Sequence, residues 1–482
     1  MQGLMIYDEL SNSIRRAFGH VPTREQEVAI QQFCLFLTDR EANTLMMLRG
    51  CAGTGKTSLA GAIVRALKTL SQKTVLLAPT GRAAKVFSLN AGSPAYTIHH
   101  RIYRSTVGVS MMDATFRLND NLHTDTLFIV DEASMIASES GFGGGFGGGN
   151  VLDDLVRYVY SGRNCRMMLI GDAAQLPPVG QEESPALQTR IMQGYGLKVY
   201  ECDLNEVLRQ SAGSGILYNA TLIRGYMEGG LPRVRLTGFA DVVVVPGSEL
   251  IEQLNSSYSL VGIDETMVVT RSNKRCNIYN QGIRNTILDR EELLCMGDQL
   301  MVVKNNYHAK GSSSKNLAEG TGMAGGFIAN GDRAVVVRVR NIRELYGFSF
   351  ADVTLRFPDY DDEELQSTVV LDCLLSEAPA LTSEQQSQLY NEVMADYADI
   401  PHKVDRLKQL KEDAYYNALQ VKYAYAVTCH KAQGGQWAHV YVDQGYMTDD
   451  MLTPDYIHWL YTAFTRATEK LFLVNWPSLQ VE

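Results

Sequence analysis

The sequence lacks the features that mark several specialised classes of protein. Its 8 cysteines include no Cys-x-x-Cys pair, so neither a zinc site nor a redox dithiol is indicated. No apolar run reaches the roughly 18 residues that cross a bilayer. The N-terminal segment contains acids and has no long apolar core of the signal-peptide kind. Scattered thiols are typical of a reducing compartment, and we therefore expect a cytoplasmic protein without a membrane partner.

Excess positive charge is also absent. The 482 residues include 44 Lys and Arg against 54 Asp and Glu, which gives a net charge of −10. This balance excludes a protein that coats nucleic acid with its whole surface, so any nucleic-acid site must be a local groove. The composition is 45% hydrophobic and 20% charged, which is ordinary for a globular protein of about two to four domains.

Short apolar runs that alternate with helical stretches predict an α/β fold with parallel sheets. The first set of predicted strands covers residues 44–48, 74–78, 127–130 and 167–170, with a helix over 58–70. The second set covers residues 267–270, 423–428, 439–442 and 471–474. We therefore expect two sheet domains in tandem.

The second set is interrupted over residues 306–415, where the pattern changes. Strands separated by turns are predicted at 334–339, 351–357 and 368–371, which favours a small antiparallel barrel. Thr382 and Gln385 have the spacing of a capping box that begins a helix. Residues 404–419 are predicted to form a further charged helix.

Residues 50–57 match the pattern G-x-x-x-x-G-K-[ST] between a predicted strand and a helix, which is the context this phosphate loop requires. The backbone amides of Gly53, Thr54 and Gly55 are expected to approach phosphate oxygens at the positive end of the helix. Lys56 is predicted to reach the β- and γ-phosphates, and Thr57 to bind Mg²⁺.

Polar side chains follow two further strands. Asp131 and Glu132 come directly after the strand at 127–130, where the carboxyl ends of parallel strands face a ligand crevice. We expect Asp131 to hold Mg²⁺ and Glu132 to activate the attacking water. Gln175 follows the strand at 167–170 and is predicted to contact the γ-phosphate or the water, with a simple turn glutamine as the alternative.

Three further features each allow two interpretations. Arg209 and Arg466 are surface ion-pair partners or arginines that stabilise the charge of phosphoryl transfer. Residues 42–112 contain no Asp or Glu, and their basic and aromatic side chains form a groove for single-stranded nucleic acid or a solvated basic face. The glycine-rich segment 141–149 is a flexible surface loop or a loop that becomes ordered on ligand binding.

Taken in order, these segments resemble the superfamily 1B DNA helicases, in the RecD-like and Dda-like branch. The resemblance is carried by the conserved-motif segments 23–26, 78–84, 97–99, 131–135, 171–178, 209–210, 427–436 and 461–467. It implies two RecA-like domains, 1A over residues 1–100 plus 125–200 and 2A over 201–305 plus 416–482. It also implies a small 1B insertion over 101–124 that contains the strand-separating pin, and an SH3-like barrel with a helical arm, 2B, over 306–415.

The resemblance also assigns residues. It implies that Gln26 reads adenine, that Gly435 and Gln436 contact the nucleotide, and that Arg209 and Arg466 act in catalysis. The residues expected to contact DNA are Pro79, Thr80, Arg82, His99, Asn273, Thr428 and His430.

The implied function is an ATP- and Mg²⁺-dependent DNA helicase that moves 5′→3′ along single-stranded DNA in repair, recombination or replication, and acts as a monomer. Two alternatives stay open. One is a 3′→5′ helicase of superfamily 1, and the other is a DNA-stimulated ATPase that binds or remodels nucleic acid without unwinding it. An RNA substrate is equally compatible with these residues.

Overall fold

The structure is a computed structural model that describes residues 2–104, 117–138, 150–207, 213–227, 230–306 and 328–482. The glycine-rich segment 141–149 therefore lies outside the described residues, as do residues 105–116 of the predicted pin insertion. No helix among the described residues is long and apolar enough to cross a membrane.

The first lobe is a helix-flanked parallel sheet. Its elements in chain order are α1 (Gln2–Phe18), α2 (Arg24–Thr38), β1 (Thr44–Gly50), α3 (Lys56–Thr69), β2 (Lys73–Ala78), α4 (Gly81–Ala91), β3 (Ala95–Thr97), α5 (Ile98–Ile102), β4 (Tyr103–Arg104), β5 (Arg117–Leu118), β6 (Thr126–Val130), α6 (Val151–Ser161), β7 (Arg166–Gly171), α7 (Thr189–Gly194) and β8 (Lys198–Leu204). Six strands pair in the order β3-β2-β6-β7-β1-β8, all parallel. Strands β4 and β5 form a separate antiparallel pair within the predicted pin insertion.

Strand β1 shows why this sheet is buried on both sides. Met46 and Leu48 pack in the core formed with helices α1 to α4, whereas Leu45 and Met47 pack in the core formed with α5 to α7. Successive side chains of a strand point to opposite faces, so a continuous apolar run requires helices on both faces. The short apolar runs in the sequence therefore predicted the correct layer architecture.

The second lobe repeats this plan with a barrel inserted. Its elements in chain order are α8 (Gly215–Arg224), β9 (Val242–Val245), α9 (Leu250–Leu260), β10 (Thr266–Thr270), α10 (Asn273–Gly282), β11 (Gln299–Val302), β12 (Arg333–Leu345), β13 (Phe348–Phe357), β14 (Glu363–Val370), α11 (Ser383–Asp396), α12 (Lys403–Glu412), β15 (Leu419–Tyr423), β16 (Ala426–Thr428), α13 (Cys429–Ala432), β17 (Trp437–Asp443), α14 (Pro454–Phe464) and β18 (Ala467–Val474). The parallel sheet has the order β16-β10-β17-β18-β9, and β11 to β15 form a closed barrel.

The two sheets and the barrel confirm the predicted fold class. Strands β11 and β15 pair with each other and close the barrel. One lies before the predicted insertion at 306–415 and the other after it, so the barrel includes residues on both sides of that segment. The capping box of Thr382 and Gln385 begins α11 as expected. The exact domain bounds remain our proposal.

Two predictions were wrong in detail. The single strand expected at 423–428 is two strands, because β15 ends in the barrel at Tyr423 and β16 enters the sheet at Ala426. The helix expected at 404–419 ends at Glu412. There the Asp413 carboxylate accepts hydrogen bonds from the Tyr415 and Tyr416 amides, forming a turn that competes with further helix.

One buried carboxylate joins the barrel to the second sheet. Asp298 is fully buried and accepts hydrogen bonds from Arg284, Arg290 and Tyr425 at 2.9–3.0 Å. Because Arg284 is also buried, the charges at this junction are stable only as a set.

We expect Asp298→Ala to lower the free energy of unfolding by about 3–5 kcal/mol, since it leaves a buried guanidinium without its partner. Urea unfolding measures this loss. The matched control is Asp405→Ala, which removes an exposed ion pair with Lys408 and should cost less than about 1 kcal/mol. Equal losses in the two variants would contradict the assignment of Asp298 as the junction.

Candidate nucleotide site between the two lobes

The phosphate loop, residues 50–57, connects β1 to α3. Gly53 and Gly55 adopt φ of 78° and 79°, in the left-handed region that glycine enters without a steric penalty. The Thr54 hydroxyl donates to the Cys51 carbonyl at 2.8 Å, and this hydrogen bond within the loop stabilises its turn. Since no acid occupies the first turn of α3, its positive end is left for an anion.

The charged groups of the predicted triphosphate site lie together. The Lys56 ammonium donates to the Cys51 carbonyl at 2.8 Å, so its charge lies at the phosphate loop. The Thr57 hydroxyl and the Asp131 carboxylate are 3.5 Å apart, and Glu132 follows Asp131. Hydroxyl and carboxylate oxygens are ligands that Mg²⁺ prefers, so this pair fits the expected ion.

The electrostatics of Asp131 support a cation at this place. Burial raises the pKa of Asp131 to about 7, and the charge of Glu132 acts in the same direction. A carboxylate that is costly to ionise alone becomes favourable beside a divalent cation. Glu132 itself adopts φ of 53°, a strained conformation for a residue with a side chain.

Gln26 supports the phosphate loop directly. Its side-chain amide donates to the Thr54 carbonyl at 2.9 Å, and its side-chain oxygen accepts from the Thr23 amide at 2.9 Å. The side chain is 1% exposed. The predicted reading of adenine remains a proposal, whereas the contact with the loop is a property of the fold.

The turn at residues 172–176 follows β7 and presents Gln175. The Asp172 carboxylate accepts from the Ala174 amide at 3.0 Å and thereby shapes the turn. Gln175 is 5% exposed, and its side-chain oxygen has no hydrogen-bond partner among the described residues. A buried polar atom without a partner is costly, so it marks a place where a ligand or water completes the site.

The second lobe meets both the phosphate loop and this turn through α14. The Tyr461 hydroxyl accepts from the Ala52 amide at 2.9 Å and donates to the Asp172 carboxylate at 2.6 Å. One residue along, the Thr462 hydroxyl accepts from the Leu176 amide at 2.7 Å. We call this contact surface the interlobe seam: the phosphate loop, the 172–176 turn and α14.

Arg466 lies just beyond α14, at the seam. Its guanidinium donates to the Thr462 and Gly435 carbonyls, each at 3.1 Å, and it is 3% exposed. The predicted nucleotide residues Gly435 and Gln436 are thus contiguous with Arg466. Arg209 lies outside the described residues.

Three of the predicted DNA-contacting residues lie between the end of β2 and the first turn of α4. Pro79 follows β2, and Thr80 caps α4 by accepting from the Ala83 amide. Arg82 donates to the Gln436 carbonyl, and its guanidinium lies 4.7 Å from the centre of the Trp437 ring. Arg82 therefore connects the two lobes in this conformation.

On the second lobe, Asn273 and Thr428 follow neighbouring strand ends, since Thr270 of β10 pairs with Thr428 of β16. His430 is exposed beside them on α13.

His99, on α5 of the first lobe, is half-buried, and burial lowers its pKa to about 4. His99 is therefore neutral at physiological pH and offers stacking or hydrogen bonding in place of charge. Contact of these residues with DNA stays a prediction.

Sequence reasoning missed Tyr461 and Asp172, although both lie inside the motif segments 461–467 and 171–178. A tyrosine and an aspartate are common structural residues, and only the fold brings their side chains together across 289 positions of sequence.

The contact of Gln26 generates a testable prediction. We expect Gln26→Ala to weaken nucleotide binding about tenfold, since the phosphate loop loses a buried hydrogen bond, as measured by titration with a fluorescent nucleotide. The control is Gln385→Ala, which removes the other capping box, on α11, and should leave nucleotide affinity unchanged.

The base of the nucleotide distinguishes two explanations. If Gln26 acts through the phosphate loop, affinity for ATP and GTP falls by the same factor. A loss confined to ATP would contradict this and favour direct reading of adenine.

Comparison with known proteins gives matches on both lobes. The family model of the AAA domain matches residues 23–228, and that of the UvrD-like helicase C-terminal domain matches residues 423–474. The ATP-dependent DNA helicase dda of Enterobacteria phage T4 is 24% identical over 89% of this chain and 91% of its own length. The ATP-dependent RecD2 DNA helicase of Deinococcus radiodurans is 29% identical over 33% of this chain and 20% of its own length.

Among solved structures, the Pif1 helicase from Bacteroides in complex with ADP-AlF3 and ssDNA is 14% identical, with a TM-score of 0.47 and coverage of 95% of this chain and 93% of that one. The first family match contains the phosphate loop, Asp131 and Gln175, and the second contains Tyr461 and Arg466. The two family matches and the two helicase relatives therefore support the resemblance of this chain to superfamily 1B helicases.

Proposed function

We propose that the protein couples ATP hydrolysis to 5′→3′ movement along single-stranded DNA and thereby separates duplex DNA. The observation that carries this proposal is the interlobe seam, at which the phosphate loop of one lobe meets α14 of the other through Tyr461. A nucleotide at the phosphate loop therefore lies next to α14 of the second lobe, which moves relative to the first lobe in this proposal.

The chain's own residues divide the chemistry between them. Lys56 and the amides of Gly53, Thr54 and Gly55 bind the triphosphate, while Thr57 and Asp131 hold Mg²⁺. The magnesium ion, when bound, neutralises charge on the phosphate oxygens. Glu132 accepts the proton of the attacking water.

Gln175 orients that water or the γ-phosphate from the first lobe. Arg466 and Arg209 stabilise the charge that develops on the transferred group. Because Arg466 belongs to the second lobe, turnover requires the seam to be closed. Hydrolysis removes the γ-phosphate that both lobes bind, and the seam then opens.

Movement follows because the DNA-contacting residues are divided between the same two lobes. Thr80, Arg82 and His99 belong to the first lobe, and Asn273, Thr428 and His430 to the second. Closing and opening change the distance between the two sets, so that one set can hold the strand while the other slides. This arrangement turns each hydrolysis event into a step along the DNA.

The partners of the proposed enzyme are single-stranded DNA and junctions of single-stranded with duplex DNA. We propose that it acts as a monomer, in the cytoplasm, in repair, recombination or replication. Of the eight cysteines, seven are buried and none is paired, which supports a reducing compartment.

We expect 5′-tailed duplex to be unwound in the presence of ATP and Mg²⁺, and 3′-tailed duplex to remain paired, in a gel assay of strand separation. Preferential opening of 3′-tailed duplex would contradict the proposed direction. DNA-stimulated ATP hydrolysis without strand separation would instead identify a binding or remodelling ATPase.

Lys56→Ala should abolish ATP hydrolysis while leaving the affinity for single-stranded DNA within about twofold, because Lys56 binds the phosphates and not the DNA. Its control on the same helix is Lys68→Ala, an exposed lysine at the far end of α3, which should hydrolyse ATP at the wild-type rate. Turnover that survives in Lys56→Ala would rule out the assigned site.

A further inference from the structure

Tyr461 has no chemical role of its own in the proposed function, although its hydroxyl forms part of the interlobe seam. Its hydroxyl lies between an amide of the phosphate loop and a carboxylate of the 172–176 turn, at 2.9 Å from Ala52 N and 2.6 Å from Asp172 Oδ2. Tyr461 and Asp172 are 1% and 2% exposed, so water does not compete for the hydrogen bond between them. One phenol of the second lobe thus satisfies two groups on separate segments of the first lobe.

We propose that Tyr461 is a positioning residue that couples closure of the seam to the geometry of the hydrolytic site. This inference rests on the proposed function and adds a residue that senses closure, separate from the arginine that meets the phosphates. When the lobes part, the Ala52 amide and the Asp172 carboxylate lose their shared partner in the same event.

The consequence of that loss follows from what each group does. The Asp172 carboxylate holds the turn that presents Gln175, since its other oxygen accepts from the Ala174 amide. The Ala52 amide belongs to the strand-to-helix connection that carries Lys56. Tyr461 therefore fixes, from the second lobe, the relative position of the phosphate loop and Gln175.

The hydrogen bond to Asp172 is suited to this task. A hydroxyl that donates to a buried carboxylate forms a short and strong bond, and its geometry is restrictive. Burial raises the pKa of Tyr461, and the Asp172 charge acts in the same direction, so the phenol stays protonated as the donor.

A matched pair of variants tests this inference. Tyr461→Phe keeps the ring and removes the hydroxyl that spans the seam. Tyr456→Phe is the control on the same helix: its hydroxyl is equally buried and bonds to Gln444 and Gln480, which both belong to the second lobe. Each variant loses one buried phenol, but only Tyr461→Phe loses a contact between the lobes.

We expect Tyr461→Phe to lower kcat of DNA-stimulated ATP hydrolysis by about tenfold or more, the value of a hydrogen bond to a charged partner. Its KM for ATP and its affinity for DNA should change by less than about twofold, because the contact is made fully only in the closed state. Tyr456→Phe should retain kcat within about twofold of wild type. Asp172→Asn combined with Tyr461→Phe should lower kcat no further than Tyr461→Phe alone, since both act through one contact.

A kcat for Tyr461→Phe equal to that of Tyr456→Phe, with DNA-stimulated hydrolysis intact in the wild type, would overturn this inference and leave the proposed function standing. An additive loss in the double variant would also overturn it. Absence of DNA-stimulated hydrolysis in the wild type would instead overturn the proposed function, and this inference with it.

Discussion

The rest of the molecule depends on the hydrogen bonds that join the phosphate loop and the 172–176 turn to α14. They are few, but they connect two segments that carry predicted triphosphate-binding groups with a helix of the other lobe, and two of the three are buried. Strands β1 and β7 of the first sheet present their carboxyl ends to this boundary, which is where open α/β sheets bind ligands. In the proposed mechanism, loss of the γ-phosphate at the seam changes the contact between the two lobes.

The same boundary carries some of the residues expected to contact DNA. Thr80 caps α4, which packs against α3, the helix that follows the phosphate loop. Arg82, in the first turn of α4, contacts the Gln436 carbonyl and the Trp437 ring of the second lobe. The Asn330 side chain of the barrel accepts a hydrogen bond from Lys431, so the barrel too is connected to the segment that contains Thr428 and His430. The residues proposed to bind nucleotide and DNA are thus connected across the two lobes by hydrogen bonds and ring contacts.

Much of this architecture could be predicted from sequence because it depends on local patterns. The strands at 44–48 and 127–130 are apolar runs buried on both faces, and the phosphate loop, the acids after β6 and the capping box at Thr382 are short motifs with a local physical reason. The boundaries at 423–428 and 412–419 could not be predicted, since the same apolar run serves two sheets and a side-chain turn at Asp413 competes with the helix.

The long-range contacts of the site were beyond such reasoning. Gln26 was predicted to face the nucleotide, but its bond to the Thr54 carbonyl is visible only once α2 packs beside the phosphate loop. Tyr461 and Asp172 carry no sequence signal of their partnership, because it arises from the packing of one lobe on the other.

The central claim, that the state of the nucleotide sets the distance between the lobes, is tested most directly by pulsed electron spin resonance between labels on the two lobes. Leu89→Cys on α4 and Leu260→Cys on α9 provide exposed label positions, 74% and 70% accessible, with Cys295 replaced by serine because the other native cysteines are buried. The account predicts a shorter mean distance with a non-hydrolysable ATP analogue and single-stranded DNA than with ADP and the same DNA. Identical distance distributions in the two states would contradict it.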